Sequence, residues 1–201
     1  MDSGLLIAFI PTFAAVLALP GPNAAFAVGQ SLKYGIRKSL AVAAGFMLAT
    51  CAHAILVLSG LGLLVESHAG ALEIVKWCGV AYLVYLAIKS FLSESGVVTI
   101  SSRTMTARKM ILSAMLVSLT NPKALLASLM IYPLFISESG VYLLQAVALI
   151  VMAMFISFTV YTAYIVAASK VGQHLSRSAW TNKIASALYL SAAGLMASKS
   201  T

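Results

Sequence analysis

The chain has 201 residues, 61% of them hydrophobic and only 9% charged, with a net charge of +8 and a mean hydropathy of +1.00. A soluble domain is about 25% charged, so this composition excludes one and predicts an all-α integral membrane protein. The apolar runs do not alternate with polar residues, which excludes a transmembrane β-barrel. The basic residues sit between the runs and set topology, so no nucleic-acid partner is expected.

The first uncharged run covers residues 3–32, well beyond the ~20 residues that cross a bilayer. It lacks a basic region before it and is too long for a signal core, so no cleavable leader is expected. The first predicted segment, 5–30, is interrupted by Leu19-Pro20-Gly21-Pro22-Asn23. Proline lacks an N–H and clashes with the carbonyl four residues back, so the helix must break there. Lipid offers the freed carbonyls no partner. The break must therefore face protein, a water-filled cavity or a ligand.

A basic link over 31–38 precedes segment two, 39–65. Ala41, Gly45 and Ala49 recur on one face of that segment, a spacing that lets helix backbones approach closely. His53 continues the stripe one turn on. A short acidic link, 66–73, leads to segment three, 72–90, whose ends must snorkel. The longest loop follows and marks the boundary between two halves. Segment four, 109–136, breaks at Asn121-Pro122-Lys123. Segment five, 141–169, is uncharged, and segment six, 184–198, covers only ~22 Å and is expected to span with Lys183 and Lys199 snorkelling.

Ten of the thirteen Lys and Arg fall in the links after segments one, three and five. Asp2, Glu66, Glu73 and Glu138, four of the five acids, fall on the other side. Lys and Arg mark cytoplasmic loops, which predicts six spans with both termini outside. Three spans per half invert the second half relative to the first. The expected organisation is a three-helix repeat over 1–92, a cytoplasmic linker over 93–108 and a second three-helix repeat over 109–201, with helices one and four broken.

Lys123 is the most informative residue. A lysine inside a span costs about 2.5–3.5 kcal/mol on insertion scales, and beyond Glu73 at the very start of segment three no acid lies inside any segment to pair with it. It either meets a ligand carboxylate or gates the site, or it snorkels or hydrogen-bonds carbonyls freed by Pro122. Asn23 and Asn121 contact substrate, cap the half-helices that restart beside them, or do both. The N–H groups of those half-helices suit an anionic group. His53 is the one histidine deep in a span: either a coupling-proton carrier or an interhelical hydrogen-bonding group. Tyr161, Thr162 and Tyr164 are further candidates for lining a cavity. Cys51 and Cys78 form no metal spacing and no CxxC, and neither a metal nor a cofactor is expected.

With these motifs in place the chain resembles the LysE-type translocator family, the lysine-exporter and homoserine/threonine-exporter group. The family's Pro-Gly-Pro-Asn/Asp is matched by Pro20-Gly21-Pro22-Asn23, and its glycine–arginine link by Gly35-Ile36-Arg37. Its Gly-Ala-Ala-Tyr-Leu appears as Gly79-Val80-Ala81-Tyr82-Leu83, its Asn-Pro-Lys-Ala as Asn121-Pro122-Lys123-Ala124, and its Pro-x-Phe as Pro133-Leu134-Phe135. The chain departs at Ala49-Thr50, where members often carry Gly-Asp, and at Ser39 and Ser186, where they often carry glycine. The missing aspartate removes the usual candidate acid for ion coupling or a substrate amine.

The resemblance implies a secondary transporter in the bacterial inner membrane that exports small amino acids or related metabolites on an ion gradient. The residues point to a midplane site with one lysine and no acid, suited to a zwitterion or organic anion rather than a cation. The expected binding residues are Pro20, Gly21, Pro22, Asn23, Asn121, Pro122 and Lys123. Partners are the bilayer and the small-molecule substrate; the oligomeric state stays open, a homo-oligomer included. The alternatives are a non-transporting membrane subunit and a thiol-disulfide carrier; the latter needs a cysteine pair near the breaks. No nucleophile–base pair supports an enzyme.

Overall fold

The computed structural model describes residues 3–60, 69–92, 105–137, 140–174 and 180–198. Most of the expected linker and the first three residues of the acidic link, 66–68, lie outside the described residues, as do Asp2, Glu138, Arg177 and Lys199. Among the described residues every regular element is helical. They are α1 (Ser3–Ala18), α2 (Pro22–Leu58), α3 (Ala69–Phe91), α4 (Ala107–Leu119), α5 (Pro122–Ile131), a 3-10 turn (Tyr132–Phe135), α6 (Tyr142–His174) and α7 (Trp180–Ala197).

The two breaks fall where proline forces them. Pro22 opens α2 and Pro122 opens α5, each in the first turn, where a missing N–H costs nothing. α4 and the α5 arm are bent by 67° at the second break. Thr106 caps α4 by accepting from Lys109 N at 3.3 Å.

The link expected at 31–38 does not form a loop. Helix continues through it except at Gly35, whose φ of 75° and ψ of 175° turn the chain within one residue. Only glycine adopts this conformation cheaply, so its neighbours stay helical. The turn is sharp. Phe26 and Phe46, ~30 Å apart along a straight helix, have ring centroids only 6.1 Å apart. α2 is therefore a hairpin of two helical arms, 22–34 and 36–58.

Among the described residues two helical elements are long and apolar enough to cross a bilayer, Pro22–Leu58, folded back at Gly35, and Tyr142–Lys170, and the bent α4–α5 pair makes a third candidate. Shorter apolar helices lie at Gly4–Ala18, Trp77–Ile88 and Lys183–Leu195. The outward faces carry large apolar side chains, among them Met130 and Phe155 at 72% and 70% exposure, a surface suited to lipid rather than water.

α2 packs against α6, α4 and α7, and α3 packs on α7. A Cβ placed on Gly45 would lie 2.5 Å from the Ile111 carbonyl oxygen, so α2 and α4 touch backbone to backbone. Ala49, one turn along, is fully buried and Ala41 half-buried. Two apolar clusters result. One is built on Phe26, Phe46, Leu83, Met110, Tyr161 and Tyr189, the other on Phe9, Phe13, Tyr132, Phe135 and Leu149. Polar groups collect where they meet.

Candidate functional site

The two breaks meet in the interior. Asn121 Nδ2 donates to Asn23 Oδ1 at 3.1 Å. Asn23 Nδ2 in turn donates to Ser118 Oγ (3.0 Å) and Tyr161 OH (3.2 Å). Asn121 Oδ1 accepts from Lys123 N at 3.1 Å and caps α5. The capping role expected for both asparagines thus holds at Asn121 only. α2 has Gly21 at its cap position and no side-chain cap bond; Asn23 ties the two breaks together instead.

Pro22 has no N–H for the Ala18 carbonyl, and helix α1 ends there. Tyr164 OH donates to Ala18 O at 2.6 Å. Lys123 Nζ donates to Leu19 O at 3.1 Å and Pro20 O at 3.4 Å. Ala18, Leu19 and Pro20 are exposed on the protein, where lipid would offer their carbonyls no donor; these three successive carbonyls of the first break find partners on α5 and α6. The carbonyls that hold Lys123 are those of the first break, not those beside Pro122. The second break is closed locally: Asn121 N donates to Ser118 O (3.1 Å), and Thr120 Oγ1 to Leu116 O (2.7 Å).

Two cavities adjoin the network. An interior one of about 30 Å³ is lined by Phe13, Asn23, Thr50, His53, Ser118, Asn121, Lys123 and Tyr161, among others. That is room for about one water and not for an amino acid. A second, of about 320 Å³, is lined by Leu19, Pro20, Gly21, Pro22, Asn121, Pro122, Lys123 and Leu195, at the small end of ligand-site volumes. Six of the seven expected binding residues line this second cavity, and the seventh, Asn23, lines the interior one. Among the described residues no acidic side chain lines either one.

His53 lines the interior cavity, is 4% exposed, and has no hydrogen-bond partner at Nε2 among the described residues. The interhelical bond on that side of α2 is made one turn earlier, by Thr50 Oγ1 to Ser157 Oγ at 2.9 Å. Cys51 is half-buried, Cys78 exposed, and neither lines a cavity. Among the described residues no three His, Cys, Asp or Glu side chains cluster to hold a metal.

Tyr161 and Tyr164, candidates only by their polarity, are central. Ser118 gave no signal, since a serine in an apolar helix usually bonds its own backbone; Thr50 was marked only as a departure from the family's aspartate, not as a bonding partner.

A helical chain with lipid-suited faces, two breaks joined by polar side chains and a small-molecule-sized cavity beside them defines a membrane translocator. Residues 14–200 match the model of the LysE type translocator family, and the chain belongs to that family. It is 28% identical to an uncharacterized membrane protein of Vibrio cholerae over 87% of this chain and 86% of that protein. It is 28% identical to a homoserine/homoserine lactone efflux protein of Salmonella typhimurium over 95% of both chains. A leucine efflux protein of the same organism is 27% identical over 55% of this chain and 53% of its own. No solved structure matches the chain.

Proposed function

We propose that the chain is a secondary transporter that exports small amino acids, or related zwitterionic or anionic metabolites, from the bacterial cytoplasm on an ion gradient. The observation that carries this reading is the pair of helix breaks bridged by Asn23, Asn121 and Lys123 beside a cavity of small-molecule size. Two of the relatives are efflux proteins for homoserine and its lactone and for leucine, which supports an amino-acid substrate. Lys123 and the uncapped first turn of α2 are the groups that meet a substrate carboxylate. His53 is the proton carrier that couples export to the gradient.

The proposed architecture is six spans in the inner membrane, arranged as inverted three-helix repeats 1–92 and 109–201 around a cytoplasmic linker 93–108. Support comes from corresponding parts. Pro22 and Pro122 open the half-helices after each break, Asn23 and Lys123 follow them, and α3 packs on α7, the last helix of each repeat. The fold-back at Gly35 separates spans one and two. Reporter fusions at 35, 100 and 177 are expected to be cytoplasmic and both termini external; a cytoplasmic C-terminus removes the inverted repeat.

The functional test is efflux of a labelled amino-acid panel, including L-homoserine and L-leucine, from over-producing cells. Faster efflux of at least one member than from empty-vector cells is expected. Equal rates across the panel reject the exporter.

A further inference from the structure

An ε-ammonium group held by two main-chain carbonyls, in the wall of a cavity of about 320 Å³, is chemically the same guest as the α-ammonium of an amino acid. We propose that the Leu19 and Pro20 carbonyls are the ammonium site of the substrate, and that Lys123 is a tethered occupant displaced when a zwitterion binds. This rests on the reading of the chain as an amino-acid exporter and names the groups that recognise each end of the substrate.

The argument is charge accounting. A bound zwitterion brings one ammonium and one carboxylate into a site that has a lysine and, among the described residues, no acidic side chain. Its ammonium must find uncharged acceptors, because a buried cation needs partners. Carbonyls freed by a helix break serve, as they do for cations at broken helices generally. At the first break the Ala18 carbonyl is held by Tyr164, and among the described residues the next two are held through Lys123 Nζ. Two ammonium groups cannot share that pair without repulsion, so Lys123 must leave as the substrate ammonium arrives.

The substrate carboxylate gives Lys123 its new partner. Before binding, the Lys123 ammonium is paired with the two carbonyls. After binding, the substrate ammonium takes the carbonyls and Lys123 takes the carboxylate. Every cation keeps oxygen partners at both stages. The lysine stem is long and rotatable, and Gly21 leaves its flank open: a Cβ there would lie 3.5 Å from Nζ and 3.6 Å from Cδ. The exchange selects for both ends of the ligand. A molecule without a carboxylate cannot draw Lys123 off, and one without an ammonium leaves the Leu19 and Pro20 carbonyls bare. It also explains how a site without an acid can require an amine.

The test is equilibrium binding to the purified full-length protein. The probes are L-homoserine and L-leucine, each with its amino alcohol, which lacks the carboxylate, and its 2-hydroxy acid, which lacks the ammonium. In the wild type both analogues are expected to bind at least about tenfold more weakly than the parent, the loss of one charge-assisted contact. In Lys123→Met the ammonium site is vacant, and amino-alcohol binding is expected to rise roughly ten- to hundredfold. The 2-hydroxy acid gains nothing.

Amino-alcohol binding that is unchanged or weaker in Lys123→Met overturns the proposal. Lys123→Gln serves where the methionine variant does not fold. The wild type alone also decides: an amino alcohol that binds within about threefold of its parent shows that no tethered cation has to be displaced. Failure of the exporter reading looks different, since the wild type then exports and binds neither parent. A wild type that exports normally while Lys123→Met gains no amine binding rejects the exchange and leaves the exporter standing.

Discussion

Asn121 Nδ2 donates to Asn23 Oδ1 at 3.1 Å, joining residues 98 apart in sequence and fastening one helix break to the other. Each amide is engaged at both its oxygen and its nitrogen by protein partners. The pair therefore acts first as a strut. It sets the relative position of the Leu19 and Pro20 carbonyls and Lys123, and any opening of the interior cavity has to loosen it.

The strut is measurable as a coupling energy. Asn121→Ala removes the α5 cap, worth about 1 kcal/mol, and strips the Asn23 oxygen of its partner. Asn23→Ala strips Ser118, Tyr161 and Asn121 together. Residues in one network couple by about 0.5–3 kcal/mol, so the double variant is expected to be less destabilised than the sum of the singles. Reversible unfolding of the purified protein checks this. Strict additivity would mean that the two breaks are held independently.

Pro22 and Pro122 are expected to matter more for transport than for abundance. Pro22→Ala restores an N–H that can claim the Ala18 carbonyl from Tyr164 and draw α1 and α2 toward one continuous helix. Pro122→Ala does the same at Ser118 O, now held by Asn121 N. Efflux normalised to protein in the membrane should fall in both variants. Normal efflux at equal abundance would make the breaks merely structural.

The breaks were legible because proline removes a donor wherever it stands, and Lys123 because a charge inside an apolar run demands a partner. The partner was not legible. Nothing near Lys123 in the sequence says that its ammonium reaches carbonyls about a hundred residues away, since that depends on how two breaks register in space. The link between segments one and two was legible in place, but its form at Gly35 was not. The run of Lys33, Arg37 and Lys38 suggested a loop, whereas one glycine at positive φ turns the chain while its charged neighbours remain helical. The bonding of Ser118 and Thr50 was not legible because it depends on which helix faces them. The stripe of Ala41, Gly45 and Ala49 was readable as a face, but not which helix would lie against it.

That face carries its own prediction. Gly45 meets the α4 backbone at Ile111 and the Ala114 side chain, whereas Ala41 is only half-buried. Gly45→Val forces two backbones apart and is expected to cost about 1–3 kcal/mol or more, seen as lower abundance and a lower unfolding temperature. Ala41→Val should be milder. Equal effects at both positions would show that the α2–α4 approach is not tight at Gly45.

His53 separates coupling from transport. It is buried beside the interior cavity, with Nε2 unpartnered among the described residues. An unsatisfied buried polar atom costs about 1–3 kcal/mol, so a leucine there would pack at lower cost; the histidine stands where stability alone would not place one. Room for about one water beside it gives a proton a route to the ring. His53→Gln keeps the size and polarity but cannot carry a proton near neutral pH. In proteoliposomes the variant should retain counterflow of a labelled amino acid to within about twofold. It should lose accumulation driven by an imposed proton gradient. His53→Leu should show the same split, with unchanged or higher thermal stability. Retained gradient-driven accumulation in both variants would remove His53 from coupling. Loss of counterflow together with accumulation, in a folded protein, would make it part of the translocation path instead.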